Sequence, residues 1–306
     1  MDLNWLVRSF HDEIVMMSSA DTERIRLLRD TVIQRIESRL TQARRPTVHQ
    51  WINQGSYAMN TMIRDLNTGK PDMDLDIGIV FRYEDLITRL QTEYTPIAVK
   101  RWIIDGLSHG NQKEPPQIRK NCTTVWYNTG EQIDVPIYRI TRLYRGDEHL
   151  ELASNEWVIS DPLGVNEWFT DQCQRSPETA GSLQVRRIVR LFKALARSQN
   201  PPLSGFAITT LVVNNYVPKD GRDDYSFYLT GRRMLEALSR STFIEHPVLL
   251  GRVIDRGGGV IKYRDRLSSK LTHLSSAFTT NNERVAVLAW LKVFPHAYFR
   301  KVLAYL

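Results

Sequence analysis

Within Asp74-Leu75-Asp76-Ile77-Gly78-Ile79-Val80-Phe81, two carboxylates stand two residues apart in an apolar, β-branched run. A strand sends alternate residues to the same face, so Asp74 and Asp76 project together while Leu75, Ile77 and Ile79 turn towards a core. Adjacent carboxylates repel, and a cation between them relieves that cost. Their hard oxygens suit Mg²⁺, which also takes phosphates as co-ligands. Asp134 lies in a second strand-like run, Gln132-Ile133-Asp134-Val135-Pro136-Ile137-Tyr138, which could bring it beside the first pair. Three carboxylates can hold two metal ions, one activating an attacking hydroxyl and the other steadying a leaving oxygen. Asp134 is then the natural acceptor of the hydroxyl proton. Upstream, in Gln54-Gly55-Ser56, glycine permits close backbone approach to a phosphate and Ser56 opens a helix whose N–H groups point outward. Taken singly, Gly-Ser before a helix is also a good N-cap. The informative feature is the order: strand, Gly-Ser, helix, loop, Asp-x-Asp strand, hairpin, Asp strand.

The elements that must position these groups follow from periodicity. Residues 3–17 and 19–42 read as helices, the second with Ile25, Leu28, Val32, Ile36 and Leu40 at helical spacing and with Ser19 or Asp21 to cap it. Residues 48–54 read as a strand, 57–62 as a short helix, 65–71 as a loop and 73–82 as the clearest strand. A helix is expected over 84–108, with a kink at Pro96. Strands 117–127 and 132–142 flank the turn Asn128-Thr129-Gly130. The second half reads as helices over 163–174, 180–199, 204–217, 224–241 and 261–305, with a loop around Gly257-Gly258-Gly259. This pattern predicts a mixed α/β part followed by a helical part, two lobes with a cleft between them.

The 306 residues suffice for two cores, and 42% hydrophobic with 25% charged residues is ordinary for a globular chain. No apolar run of membrane-spanning length occurs, and the N-terminus lacks a signal-peptide layout. Two cysteines, Cys122 and Cys173, make neither a disulfide framework nor a thiolate metal site, which fits a reducing cytoplasm. A net charge of +7 points to anionic partners. Walker A, G-x-G-x-x-G, His-Glu-x-x-His and paired Cys-x-x-Cys motifs are missing.

The ordered set resembles the signature of the polymerase-β-like nucleotidyltransferases. The likeness extends through QGSYAMNT, DMDLDIGIVF, QIDVPIYRI, ISDPLGVNEWF, RRIVRLFKALAR and PPLSG, over about residues 45–215. In these the chain is similar to the bacterial cyclic-oligonucleotide synthases, relatives of cyclic GMP-AMP synthase and oligoadenylate synthase, on the cholera-type branch. The resemblance implies a polymerase-β-like core with a mixed sheet over residues 1–158 and a helical lobe over 159–306 that completes a nucleotide-binding cleft. It implies two Mg²⁺ ions, replaceable by Mn²⁺, on Asp74, Asp76 and Asp134. Asp72-Met73-Asp74 is a rival Asp-x-Asp; the later pair is favoured because Gly78 follows Asp76 by two residues, as in that branch, and an unbroken strand exit follows.

The same resemblance assigns Gln54, Gly55, Ser56, Ser160, Asp161, Lys193 and Ser204 to nucleotide binding, with Lys193 and Ser204 on the triphosphate and Ser160 and Asp161 on a base. Lys193 shares a basic helical stripe with Arg186, Arg190 and Arg197, opposite Val185, Ile188, Val189, Phe192 and Leu195. The implied activity joins two or more triphosphates, ATP and GTP among them, with loss of pyrophosphate. The product would be a second messenger in anti-phage signalling, sensed by a downstream effector and governed by a regulatory protein partner, with neither membrane nor obligatory nucleic acid. Two rival activities are a template-free transferase acting on RNA or protein and a catalytically silent relative that binds RNA or a partner. The chain departs from the branch where a base-stacking aromatic is expected, since Met59 stands there with Tyr57 nearer the motif. It departs again where a strand arginine is replaced by Thr123 or Thr124.

Overall fold

The computed structural model describes residues 1–71, 74–108, 111–142, 148–179, 181–197 and 203–306. The expected first helix divides into α1 (Asn4–Phe10) and a wider π-helical turn, His11–Val15. α2 (Ser19–Gln42) has the expected span, but its cap is Ser18: the Ser18 hydroxyl accepts from the Asp21 N–H, and the Asp21 carboxylate accepts in return. β1 (Gln50–Asn53) runs into α3 (Gly55–Ala58), and β2 (Asp74–Arg82) is the long apolar strand. The helix expected from residue 84 begins only at α4 (Pro96–Leu107). Pro96 starts that helix rather than kinking it, because in the first turn its missing N–H is not needed.

β3 (Gln117–Ile118) and β4 (Thr123–Trp126) lead to β5 (Gln132–Val135) and β6 (Ile137–Arg142), one strand interrupted at Pro136. β7 (Glu148–Ala153) and β8 (Trp157–Ser160) were not anticipated. α5 (Pro162–Gln174), the short pair β9 (Glu178–Thr179) and β10 (Ser182–Leu183), α6 (Gln184–Arg197), α7 (Gly205–Asn214) and α8 (Asp223–Arg240) follow. After the hairpin β11 (Phe243–Glu245) and β12 (Val253–Arg256), the single helix expected over 261–305 is three: α9 (Gly258–Thr279), α10 (Glu283–Val293) and α11 (Ala297–Tyr305). The Asn282 cap and the Phe294–His296 turn separate them.

The chain forms two compact units, residues 18–59 with 72–167 and residues 1–17 with 60–71 and 168–306. The first holds a mixed sheet in the order β3-β4-β5-β2-β6-β7-β8, with β1 also on β2. β2 runs parallel to β5 and β6 in one continuous register, and the other pairings are antiparallel. Leu75, Ile77, Ile79 and Phe81 are buried on one face, where Phe81 meets Trp102 of α4 edge-on. Val80, Tyr138, Leu150 and Leu152 form a second core on the other face, the one that carries Asp74 and Asp76. The second unit is mainly helical. Its core is aromatic: Phe192 stacks on Phe227 at 4.2 Å, and Phe10, Trp290, Phe294 and Phe299 surround them. No helix among the described residues is long and apolar enough to cross a membrane.

Candidate active site

Asp76 and Asp134 are direct neighbours across the parallel β2–β5 ladder, and Asp74 pairs with Gln132 one step earlier on the same face. Asp74 is exposed and the other two half-buried. Asp72 lies outside the described residues. Asp134 is held on both sides: its Oδ1 accepts from the Thr124 hydroxyl at 2.5 Å and its Oδ2 from Gln132 Nε2 at 3.1 Å. Gln132 is fixed in turn by Trp126, whose indole N–H donates to Gln132 Oε1 at 2.9 Å. Thr124 and Trp126 face Asp134 and Gln132 across the β4–β5 hairpin, so cross-strand register supplies both contacts.

The Gly-Ser turn is built against this strand. Gly55 has φ +60°, a conformation side chains disfavour, and a Cβ there would lie 2.1 Å from Asp76 Oδ2. Glycine therefore lets the backbone of the Gly55–Ser56 turn touch a carboxylate of the Asp-x-Asp pair. Gly78 does similar work two residues on, where a Cβ would come within 2.2 Å of Gln54 Nε2 and 3.0 Å of the Tyr138 ring. Gln54 thus lies flat on β2. Its Oε1 accepts from the Tyr138 hydroxyl at 2.9 Å, and the Ser160 hydroxyl bonds to Tyr138 as well. Asp161 caps α5, accepting from the Gly164 N–H at 2.7 Å, the role its place before Pro162 allows. Met59 is buried and Tyr57 half-exposed, so of the two only Tyr57 offers a ring surface.

All of these groups lie in the sheet-bearing unit. Lys193 and Ser204 lie in the helical one. There the Lys193 ammonium is buried and donates to Thr61 Oγ1 at 2.9 Å and to the Thr61 carbonyl at 3.3 Å. Ser204 caps α7, accepting from the Ala207 N–H at 3.0 Å, and a Cβ on Gly205 would sit 3.9 Å from Lys193 Nζ. Lysine and cap are thus brought together. The basic stripe is not a solvated face throughout. Arg190 is buried against the Asn60 carbonyl and His11, and burial lowers its guanidinium to about 10. Arg187, outside the expected stripe, is buried in a two-pronged pair with Asp223.

Three carboxylates on adjacent strands are an all-oxygen donor set, which fits Mg²⁺ by hardness. Cys122, also near Asp134 and Asp76, is no competitor: burial first, then the Asp134 charge, push its thiol up to about 11, so it stays protonated. In the rotamers present, no three His, Cys, Asp or Glu side chains among the described residues converge closely enough to hold an ion. The Asp134 carboxylate is instead engaged by Thr124 and Gln132. Tyr138, Thr124 and Gln132 were missed at the sequence level, although strand parity places Tyr138 on the face of Asp134.

Residues 49–138 match the family described as cyclic GMP-AMP synthase DncV-like, nucleotidyltransferase domain. Among solved structures, the Vibrio cholerae di-nucleotide cyclase in complex with GTP is similar, with TM-score 0.76 and 14% identity over 98% of this chain and 97% of that one. CdnC of E. coli MS115-1 with ATP gives TM-score 0.72 and 15% identity over 97% and 99%. Escherichia coli DncV in a 3′-deoxy GTP bound form gives 0.71 and 16% over 95% and 94%. At these identities the matches establish a shared fold, over 95–98% of this chain.

Proposed function

From the premise that this chain carries, over residues 49–138, the nucleotidyltransferase domain of the DncV-like family, we propose that it is a cyclic di- or oligonucleotide synthase. The observation that carries the reading is the side-by-side register of Asp76 and Asp134 with the Gly55 backbone pressed against Asp76. In the proposed reaction a ribose hydroxyl of one nucleoside triphosphate attacks the α-phosphorus of another. The new O–P bond forms as the bond to the β-phosphate oxygen breaks, pyrophosphate leaves, and the hydroxyl proton passes to Asp134. A second round on the linear product, through its remaining triphosphate, closes the ring. Two Mg²⁺ ions held by Asp74, Asp76 and Asp134, or Mn²⁺ in their place, would supply charge neutralisation at the attacking and leaving oxygens.

The chain's own groups do the positioning. Thr124 and Gln132 aim Asp134. The Gly55–Ser56 turn offers backbone N–H groups and a hydroxyl to phosphate oxygens. Lys193 and Ser204 are assigned to the triphosphate, Ser160 and Asp161 to the base, and Gln54 to the bound nucleotide more generally. The product would act as a second messenger in anti-phage signalling within the cytoplasm, read by a downstream effector and regulated by a protein partner.

The test is incubation with each radiolabelled triphosphate and Mg²⁺, followed by phosphatase and nuclease P1. A phosphatase-resistant product, absent from the Asp74→Ala/Asp76→Ala double variant, is expected. Product that persists in that variant would falsify the assignment of the aspartates. Label appearing on RNA or protein would favour the template-free transferase, and nucleotide binding without pyrophosphate release the silent relative.

A further inference from the structure

Gln54 is oriented by a residue that no motif singled out. Tyr138 stands four positions after Asp134 and so on the same face of the strand; it is 3% exposed. Its hydroxyl can donate one hydrogen, and Gln54 Oε1 receives it at 2.9 Å. The Ser160 hydroxyl bonds to the same oxygen. Because the hydroxyl donates to Oε1, the roll of the Gln54 amide is set, and its other end must be Nε2. That nitrogen is buried on the Gly78 backbone and meets no hydrogen-bond acceptor among the described residues. A buried amide donor without an acceptor is uncommon in folded proteins, and one beside a Gly-Ser turn points to a partner supplied by ligand.

We propose that Tyr138 is a positioning residue that locks Gln54 with its N–H₂ group presented as a donor to an acceptor atom of the bound nucleotide. This rests on the reading of the Gly55–Ser56 turn as part of a nucleoside triphosphate site. It adds two things to that reading: a direction, donor from protein and acceptor from nucleotide, and the residue that enforces it. Ser160 joins the same chain, so Gln54 and a residue assigned to the base are coupled through one buried phenol.

Binding of non-hydrolysable ATP and GTP analogues with Mg²⁺ tests this, in the wild-type chain and in Tyr138→Phe, Gln54→Met, Gln54→Glu and Tyr138→Phe/Gln54→Met. Loss of one such hydrogen bond corresponds to about tenfold weaker binding. Tyr138→Phe and Gln54→Met should each lose that much for at least one nucleotide, and the double variant should be no weaker than Gln54→Met. In steady-state pyrophosphate release the loss should fall on KM rather than on kcat. Gln54→Glu keeps an acceptor for Tyr138 but removes the donor, so it should bind as poorly as Gln54→Met. Full multiplication of the two single effects, or wild-type binding by Gln54→Glu, overturns the proposal, and the glutamate arm decides even if Tyr138→Phe does not fold. A wild-type chain that binds neither analogue would instead remove the nucleotide reading itself, and this proposal with it.

Discussion

Asp134, the proposed acceptor of the hydroxyl proton, shows how much a single carboxylate depends on neutral neighbours. One of its oxygens is spoken for by Thr124 and the other by Gln132, and both partners arrive through strand register rather than through a loop. A carboxylate aimed in this way is preorganised for an incoming hydroxyl. Valine has the shape of threonine without the hydroxyl, so Thr124→Val removes the aim and little else. A hydrogen bond to a charged group contributes about 1.5–3 kcal/mol. Pyrophosphate release should therefore slow by about tenfold or more, with nucleotide affinity and melting temperature nearly unchanged. Turnover equal to wild type would show that Thr124 is only filling space. Gly55 is constrained more tightly than Thr124, because Gly55→Ala places a methyl group on the Asp76 carboxylate in a backbone conformation alanine disfavours. That variant should lose stability and activity together.

At the scale of elements, the hairpin carrying Thr124 is tied down by α4. Lys100 is 2% exposed, and its ammonium donates to the carbonyls of Arg119 at 3.1 Å, Lys120 at 2.6 Å and Ser154 at 3.1 Å. Burial lowers its pKa. Lys100→Met keeps the stem but leaves those carbonyls without the donor, so urea unfolding should show a loss of about 1–3 kcal/mol. An unchanged midpoint would mean that water replaces the ammonium at no cost. Much of this region was legible in the sequence. The Asn128-Thr129-Gly130 turn marked the hairpin itself, while the register that sets Thr124 opposite Asp134 came only with the structure. The Asp-x-Asp strand, the Gly-Ser turn and the span of α2 were equally plain, because each depends on local spacing. β7 was not plain, since the charges of Glu148 and Glu151 find their partners only once β6 pairs beside them: Arg139 of β6 donates to Glu151 at 2.6 Å and Arg142 to Glu148 at 3.3 Å. Nor was the burial of Arg187 and Arg190, whose hydrogen-bond acceptors, the Asp223 carboxylate and the Asn60 carbonyl, lie 36 and 130 residues away. A stripe of cations reads as solvated until the fold supplies its acceptors.

For the molecule as a whole, the response of stability to pH should run through His11. It is fully buried at the start of the π-helical turn. Arg190 lies 3.3 Å from His11 Nε2, and a guanidinium can only donate, so Nε2 must keep its lone pair. The proton then sits on Nδ1, 2.5 Å from Asp12 Oδ1. The folded chain therefore holds a neutral imidazole. Burial is the main cause that lowers its pKa, with the Arg190 charge acting the same way and Asp12 and Asp223 opposing. Between that lowered value and the ordinary 6.5, the unfolded chain binds a proton that the folded chain refuses. Stability must therefore rise with pH across this window and fall as the medium is acidified below about 6.5, by at most about 1.4 kcal/mol per pH unit for one proton. His11→Gln keeps an acceptor for Arg190 and cannot titrate. Melting temperatures measured from pH 8 down to pH 5 should decline in the wild type and decline less in His11→Gln. Parallel curves would place the acid sensitivity elsewhere, in the paired carboxylates, whose protonation acts at lower pH.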